Sequence, residues 1–319
     1  MSHHIVELKD VCFAYPDGTR SLDGISLRIT HGESVGIVGA NGSGKSTLLL
    51  HLNGCFMPSS GTITIGDFDL TLKTRRDIRK KVGMIFQNPD DQLFMPRVFD
   101  DVAFGPLNLG MDLERARERV EKALATVDCL ALKERPPHHL SSGQKSSVAI
   151  ASVIAMQPDI LVMDEPASNL DPRSRRYLIN LLKDFRHTKI VASHDLDFIL
   201  DVCTRCVVIK NGRVMADGKT EEILSDQGLL EDNHLELPLS LQNRSVSKDS
   251  KEVEMDDLKK LRHLIEHWAE HNAEHAQTYL EWSKKADSLG KKELSEVLGE
   301  LSENTLKLDG LFKKALGLC

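Results

Sequence analysis

One stretch near the start of the chain constrains the fold more than any other part of the sequence. Residues 39–47 read Gly-Ala-Asn-Gly-Ser-Gly-Lys-Ser-Thr and match the pattern G-x-x-x-x-G-K-[ST]. An apolar run, 34–38, precedes them and three leucines, 48–50, follow, which is the strand–loop–helix context that a phosphate-binding loop requires. The glycines let successive backbone N–H groups face one phosphate chain, and the following helix adds its positive N-terminal end. The sequence therefore predicts a nucleoside triphosphate site in an α/β fold.

Two side chains at the end of this loop have a chemical role that follows from their position. Lys45 is expected to neutralise the β- and γ-phosphates, and the Ser46 hydroxyl is expected to hold Mg²⁺. An ordinary glycine-rich turn before a helix is the alternative. That alternative explains neither the Lys-Ser pair nor the strand upstream of the loop.

A pair of carboxylates ends a second apolar run. Residues 160–163 are continuously apolar, as expected for a parallel strand covered on both faces, and Asp164 and Glu165 follow. Two carboxylates at the end of a buried strand cost free energy unless they face a cation or solvent. Asp164 is therefore predicted to bind Mg²⁺ and Glu165 to polarise an attacking water molecule, with a structural salt bridge as the alternative.

Three residues next to predicted strands carry weaker signals. His194 follows the strand 189–193, and because ligands gather at the carboxyl ends of strands in an open α/β sheet, its imidazole is placed to reach a γ-phosphate. Gln87 ends the apolar run 82–86. Tyr15 precedes a turn and is either a packing residue or a platform for a purine ring.

Composition excludes several classes of protein. The 319 residues carry a formal net charge of −7, which argues against a nucleic-acid binder with a broad basic face. The six cysteines are mostly scattered, as in a reduced cytosolic protein. No apolar run approaches the roughly 18 residues needed to cross a bilayer. The sequence predicts a soluble protein whose membrane role comes through partners.

These motifs, in this order, resemble the nucleotide-binding subunit of ABC transporters over residues 5–230. The chain also carries a signature-like segment at 140–144 and a D-loop-like segment at 168–171. The resemblance implies a P-loop ATPase domain with a mixed sheet and helices, a helical subdomain and N-terminal antiparallel strands.

The resemblance also implies which residues carry the reaction. The expected catalytic residues are Glu165, His194, Gln87 and Lys45. The expected Mg²⁺ ligands are Ser46, Gln87 and Asp164. The residues expected to bind ATP, with Tyr15 stacked on adenine, are Tyr15, Gly39, Asn41, Gly42, Gly44, Lys45, Ser46, Thr47, Ser141 and Gly143.

Subunits of this family work as head-to-tail pairs, which implies partners for this chain. Each ATP is held between the phosphate loop of one subunit and the signature of the other, so Ser141 and Gly143 are expected to touch the γ-phosphate of the opposite subunit. The free energy of closing that dimer moves the membrane subunits. The expected partners are a second copy or a related ATPase subunit, together with integral membrane subunits at the cytoplasmic face of the cell membrane.

Within the family, residues 87–94, 101–106 and 136–140 are similar to the energy-coupling-factor importers, especially the cobalt/nickel branch. The expected function is therefore ATP-driven import of a transition metal ion. Two alternatives stay open. In the first, the importer carries a vitamin, since substrate choice resides in the membrane subunits. In the second, the chain is a metal-responsive binding protein whose ATPase is a slow switch.

The signature segment departs from its usual form. Ser142 stands where Leu-Ser-Gly-Gly-Gln has its first glycine. A Cβ there strains the loop by about 1 kcal/mol if its φ is positive. This change is expected to affect turnover more than nucleotide binding.

The remainder of the chain predicts a separate small domain. Residues 1–231 form the expected ATP-binding domain, 232–254 a polar linker and 255–319 a helical hairpin. The second helix has a coiled-coil-like seam that needs a partner helix. Its members are Leu294, Leu298, Leu301, Thr305, Leu308, Phe312 and Ala315.

A histidine stripe marks the first helix of this hairpin. His263, His267, His271 and His275 follow one another at intervals of four residues, with glutamates between them. Residues four apart lie on one side of a helix, so neighbouring imidazoles can chelate one divalent ion. The prediction is a Ni²⁺ or Co²⁺ site, and a solvated polar face is the alternative.

Overall fold

The chain divides into two compact units, Met1–Gln242 and Asn243–Cys319. The computed structural model describes residues 4–168, 170–185, 187–242, 262, 265, 272 and 276–317. Residues 232–242, which the sequence assigns to a linker, lie in the first unit. Asn233 is buried there, and Leu235 and Leu237 pack against the core.

The strands of the first unit form a four-stranded and a six-stranded sheet. In chain order they are β1 (His4–Ala14), β2 (Arg20–Thr30), β3 (Ser34–Val38), β4 (Ser60–Ile65), β5 (Phe68–Asp69), β6 (Val82–Ile85), β7 (Ile160–Asp164), β8 (Thr188–Ala192), β9 (Arg205–Lys210) and β10 (Arg213–Lys219).

The helices lie between and after these strands. They are α1 (Lys45–Leu52), α2 (Arg75–Lys81), α3 (Val98–Asn108), α4 (Leu113–Thr126), α5 (Ser142–Ile154), α6 (Pro172–Asp184), α7 (Leu196–Val202), α8 (Thr220–Ser225), α9 (Gln227–Asp232), α10 (Leu239–Gln242) and, in the second unit, α11 (Lys292–Leu316). Short 3₁₀ turns occupy Pro89–Asp91, Leu130–Leu132 and Pro137–His139.

The six-stranded sheet has the order β10-β9-β3-β8-β7-β6, and its strands from β9 to β6 pair in parallel. All residues of β3, β7 and β8 are buried, which explains the apolar runs 35–38, 160–163 and 190–192 within them. At Gly36 of β3 a Cβ would lie 2.5 Å from Ile199 of α7, so the glycine permits close helix–sheet packing. The carboxyl ends of β3, β6, β7 and β8 therefore meet at one edge.

The four-stranded sheet has the order β2-β1-β4-β5 and is antiparallel, as predicted for the N-terminal strands. Its buried residues, such as Leu8, Ile25 and Ile63, share a core with Ile37 of β3 and Leu48 of α1. This packing covers one face of the parallel sheet. The helices α3, α4 and α5 pack against one another and form the predicted helical subdomain.

Aspartate side chains cap two helices of the first unit. Asp112 caps α4 by accepting a hydrogen bond from the Arg115 N–H (3.0 Å). Asp171 caps α6, where Pro172 takes the first helical position. The chain therefore enters these helices where its local sequence directs it.

In the part of the second unit that the structure describes, two helical segments run antiparallel. A helical segment, 276–288, turns at Leu289 and Gly290 (φ +74°) and continues into α11. The Ser302 hydroxyl donates to the Ala276 carbonyl oxygen (2.8 Å), and the Ser283 hydroxyl donates to the Ser295 carbonyl oxygen (2.8 Å). Residues later in α11 thus contact residues earlier in the neighbouring helix, as in an antiparallel pair.

The predicted seam of α11 faces the neighbouring helix only in part, because four of its seven members are half-buried, Leu298, Thr305, Phe312 and Ala315. Leu294, Leu301 and Leu308 are exposed, at 53%, 45% and 44%, whereas Ser302 is buried against the neighbouring helix. The face that contacts the neighbour includes Ser295 and Ser302, each one residue beyond an exposed leucine of the seam. Serine hydroxyls satisfied by backbone carbonyls allow close packing there, which the hydrophobic pattern alone does not predict.

Within the described part of the chain, no helix is both long enough and apolar enough to cross a membrane.

We expect Phe198→Ala to destabilise the first unit by about 3–5 kcal/mol, because Phe198 of α7 is fully buried and its removal leaves a cavity. Urea unfolding monitored by circular dichroism measures this change. Leu72→Ala, at a side chain that is 71% exposed, is the control and should shift stability by less than about 0.5 kcal/mol. Equal effects of the two substitutions would contradict the assigned packing.

Candidate nucleotide-binding site

A cleft of about 660 Å³ opens at the carboxyl edge of the parallel strands. It brings together residues that follow β3, β6, β7 and β8, which are far apart in the sequence. Its lining consists of Tyr15, Thr19, Arg20, Ser21, residues 39–47, Gln87, Glu165, His194, His234 and Leu235. The lining therefore includes Gly39, Asn41, Gly42, Gly44, Lys45, Ser46 and Thr47 from the predicted phosphate loop.

The loop between β3 and α1 can be built only with glycine at two of its positions. A Cβ on Gly39 would lie 2.2 Å from the Ile209 carbonyl oxygen. Gly44 has φ +107°, and a Cβ there would lie 2.6 Å from the Ser21 carbonyl oxygen. The loop thus lies against β9 and β2, and its residues 39–47 line the cleft.

Lys45 is held at the base of this loop. Its Nζ donates to the carbonyl oxygens of Gly39 (2.7 Å) and Ala40 (3.1 Å). Burial lowers the pKa of the Lys45 ammonium, while the negative charges of Glu165 and Asp164 oppose that change. The cation is therefore largely removed from water and close to two carboxylates.

Asp164 is buried at the end of β7. Burial raises the pKa of its carboxyl group, a hydrogen bond with the Ser46 side chain opposes this rise, and the nearby Glu165 carboxylate adds to it. Its Oδ1 has no hydrogen-bond partner among the described residues, and neither has the buried Ser43 Oγ of the phosphate loop. A buried carboxylate oxygen beside a serine hydroxyl is a suitable pair of ligands for Mg²⁺, so the residues fit a Mg²⁺–nucleotide complex.

The Glu165 carboxylate contacts the residues that follow β8. The Ser193 hydroxyl donates to its Oε2 (2.9 Å), the His194 N–H donates to its Oε1 (2.9 Å), and His194 Nδ1 lies 2.9 Å from Oε2. Glu165 has φ +46°, a conformation that non-glycine residues rarely adopt. The carboxylate is thus fixed in one orientation beside the phosphate loop, and the imidazole is directed at the same place.

Tyr15 lines the cleft and also packs. Its ring contacts Phe13 and Phe56 edge-on, with centroids 5.2 Å and 5.8 Å away. Its hydroxyl lies 2.9 Å from Thr47 Oγ1, to which Ser21 also donates (2.8 Å). Its ring therefore packs, and because Tyr15 also lines the cleft, its stacking on a purine ring stays a prediction.

Gln87 is exposed at the cleft directly after β6, and a second glutamine connects its loop to α5. The Gln92 amide nitrogen donates to the Ala149 carbonyl oxygen (2.8 Å) and to Ser152 Oγ (2.9 Å). Lys145 of α5 forms an ion pair with Asp90 (2.6 Å). Two hydrogen bonds and one ion pair thus connect the loop to α5.

The signature-like segment begins α5. Ser141 and Gln144 form a capping box, in which the Gln144 N–H donates to Ser141 Oγ and the Ser141 N–H donates to Gln144 Oε1. Ser142 occupies the first helical position and is absent from the residues with positive φ, so the strain considered from the sequence does not arise. Ser141 and Gly143 do not line the cleft of their own chain.

Comparisons with known proteins agree with this geometry. A model of the family "ABC transporter" matches residues 22–168. A protein of Geobacter sulfurreducens, named as an ABC transporter ATP-binding protein, is 56% identical over 246 residues, which cover 77% of this chain and 99% of that protein. This chain belongs to the ABC transporter ATP-binding proteins.

Other relatives refine the assignment. The energy-coupling factor transporter ATP-binding protein EcfA of Carboxydothermus hydrogenoformans is 50% identical and is covered over 87% of its length, with 73% of this chain. The solved structure of cbiO1 from Clostridium perfringens has a TM-score of 0.65 and 37% identity, covering 77% of this chain and 100% of that one. A dimeric structure of the ATP-binding cassette MJ0796 with ADP and phosphate has a TM-score of 0.62 and 29% identity, covering 67% and 98%. The chain is thus an ABC ATPase, an ATP-hydrolysing transporter subunit.

Residues 261–319 match a different family, described as a domain of unknown function (DUF8180). The four histidines predicted to bind Ni²⁺ or Co²⁺, His263, His267, His271 and His275, lie outside the described residues, as does Asn169 of the D-loop. Among the residues that the structure does describe, no group of three or more His, Cys, Asp or Glu side chains is placed to hold a metal ion.

Sequence reasoning missed several residues of this ABC ATPase site. Ser193 was visible only as the neighbour of His194, and Gln92 only as one of several polar residues after β6. His234 and Leu235 line the cleft although their segment was predicted to be a linker. The turn after α9 brings them there, where His234 has φ +58°.

We expect Gly44→Ala to weaken ATP binding at least about ten-fold, because the added Cβ would displace the loop from the Ser21 carbonyl oxygen. Titration with a fluorescent ATP analogue measures the affinity. Gly18→Ala is the matched control, since Gly18 also has positive φ (+88°) but has open space around its Cβ position. Equal losses of affinity in both variants would mean that the assigned contact does not shape the cradle.

Proposed function

We propose that this ABC ATPase is the energy-coupling subunit of a membrane importer for transition metal ions, cobalt or nickel. The observation that carries its ATPase role is the Glu165 carboxylate held by Ser193 and His194 beside the phosphate loop. Two relatives named EcfA and a solved cbiO1 described as part of the complex cbiONQ support the importer type.

In this proposal the side chains of the cleft have different roles in ATP binding and hydrolysis. Lys45 and the N–H groups of the phosphate loop hold the triphosphate, and Tyr15 presents its ring to the base. Ser46 and Asp164, with Gln87, hold Mg²⁺, which neutralises charge on the phosphates. Glu165 orients and polarises the attacking water, and His194 contacts the γ-phosphate.

The remaining nucleotide contacts come from a second subunit. Ser141 and Gly143 are predicted to bind ATP but do not line the cleft of their own chain, so they act on the nucleotide of the opposite copy. MJ0796, a relative of solved structure, forms a dimer with bound ADP and phosphate. Closure of the head-to-tail dimer then supplies the free energy that moves the membrane subunits.

A groove beside the Gln87 loop is the docking site that we assign to a membrane subunit. It has a volume of about 830 Å³, and its apolar lining residues include Phe86, Phe94, Phe104, Leu109 and Met156. Phe94 and Phe104 contact edge-on with centroids 5.1 Å apart, and they are 63% and 43% exposed. Exposed aromatic pairs of this kind are typical of protein interfaces. Gln92 also lines the groove, which connects it to α5.

The cargo assignment depends on the C-terminal unit. The histidine stripe of the chain has ligands suited to Ni²⁺ or Co²⁺, and this supports a transition metal ion as the cargo. A vitamin importer of the same type is the second candidate, because the name EcfA specifies no metal. The third is a metal-responsive protein with a slow ATPase switch. Backbone strain at Ser142 was one reason to expect slow ATP hydrolysis, and this strain does not occur.

We expect Glu165→Gln to retain ATP binding and to lower the hydrolysis rate at least about 100-fold, since it keeps the shape of the side chain but loses the base. Lys45→Ala should abolish binding itself. Phosphate release and nucleotide titration separate the two effects. Normal hydrolysis by Glu165→Gln would disprove the role of that carboxylate.

We also expect the full-length, nucleotide-free chain to bind Ni²⁺ or Co²⁺ through the histidine stripe. Isothermal titration of the wild type against His267→Ala/His271→Ala should show loss of the site. His138→Ala/His139→Ala, which removes an exposed histidine pair from the first unit, is the control and should retain it. Unchanged binding in the stripe variant would exclude the metal site without affecting the ATPase assignment.

A further inference from the structure

The final helix, α11, presents a second face that its own hairpin does not cover. This outer seam consists of Leu294, Val297, Leu301, Asn304, Leu308 and Leu311, in alternating steps of three and four residues. Its five apolar members are between 44% and 63% exposed. A regular seam of exposed leucines is the pattern of a helix that packs against another helix.

The two faces of α11 have the angular relation of a four-helix bundle. At 3.6 residues per turn, the outer seam lies about 100° around the helix from the face that contacts the hairpin neighbour. Each helix of a four-helix bundle contacts two neighbours, in directions at roughly a right angle. Leu298, Thr305 and Phe312 lie between the two faces, are half-buried in the single hairpin, and would be at the centre of such a bundle.

Charged residues along the outer seam show which partner it fits. On the side away from the hairpin neighbour, every seventh residue is charged: Glu293, Glu300, Lys307 and Lys314, all of them exposed. The acidic pair lies in the N-terminal half and the basic pair in the C-terminal half. The pattern is self-complementary when the helix meets a copy of itself running in the opposite direction.

We propose that two copies of this chain associate through their outer seams to form an antiparallel four-helix bundle. In this arrangement Glu300 faces Lys307 of the second copy, and Glu293 faces its Lys314. The same register places Leu294 opposite Leu311, Val297 opposite Leu308 and Leu301 opposite Asn304. The two Asn304 side chains then lie in adjacent central layers, where a polar residue specifies register.

Other pairings use the same residues less well. In a parallel pair, Glu300 would lie beside Thr305 of the partner, so the charge pattern would contribute no attraction. An unrelated partner or the first unit of the same chain would not require acidic and basic pairs related by a two-fold axis. The self-complementary pattern therefore favours a second copy.

The bundle gives the chain an association that does not require nucleotide. In the proposed ATPase cycle the head-to-tail dimer opens after hydrolysis. A permanent contact between the C-terminal units would keep the two ATPase domains at a high effective concentration for the next closure.

Sedimentation equilibrium of the full-length, nucleotide-free chain tests the proposal. We expect a dimer at micromolar concentration, and we expect Leu301→Asp to raise its dissociation constant about 100-fold or more, since two carboxylates would be buried near its centre. Leu306→Asp is the matched control, because Leu306 is 50% exposed but lies on the side of α11 that is opposite to the outer seam. A monomeric wild type, or equal effects of the two substitutions, would overturn the proposal.

A charge-reversal cycle tests the antiparallel register. Glu300→Lys places like charges opposite each other twice per dimer and should weaken association about ten-fold, as should Lys307→Glu. The double variant restores opposite charges and should return to within about three-fold of the wild type. Lys307 also donates to Asn304 within its own helix (3.1 Å), so Glu300→Lys is the cleaner single reversal. If the single reversals have no effect, or the double variant is not restored, the antiparallel pairing is wrong.

Discussion

Three charged side chains are buried together at the carboxyl edge of the parallel sheet, and the order of the strands brings their partners to them. Lys45, Asp164 and Glu165 are each less than one tenth exposed. Buried charges of this kind are tolerated only when partners satisfy them. Backbone carbonyls hold Lys45, and the end of β8 holds Glu165, while Asp164 keeps one oxygen free. These partners come together only when β3, β8 and β7 are neighbours in the sheet.

The same edge of the sheet leads outward to other subunits. The loop after β6 begins at the cleft with Gln87, continues through Gln92 to α5, and borders the groove around Phe94. Nucleotide contacts, the start of the signature helix and the proposed docking groove are thus joined by hydrogen bonds within one subdomain. The nucleotide cleft and the proposed docking groove therefore share one loop, residues 87–94.

Much of the fold could be predicted from local sequence. The alternation and apolar runs identify the strands, and Asp112, Ser141 and Asp171 identify helix starts because their side chains cap the helices. The orientation of α11 could not be predicted in this way. Ser302 faces the neighbouring helix because a backbone carbonyl satisfies its hydroxyl, and a hydrophobic pattern contains no information about that hydrogen bond.

The sequence by itself determined the chemistry of this protein, because a glycine-rich loop ending in Lys45 and a carboxylate pair after a buried strand have few other uses. Only the tertiary structure decided that Ser193 fixes Glu165 and that His234 reaches the cleft, since both depend on which segments become neighbours after folding. Local patterns report what a residue can do within its own element. The contacts between elements depend on packing over long sequence separations, which no local pattern specifies.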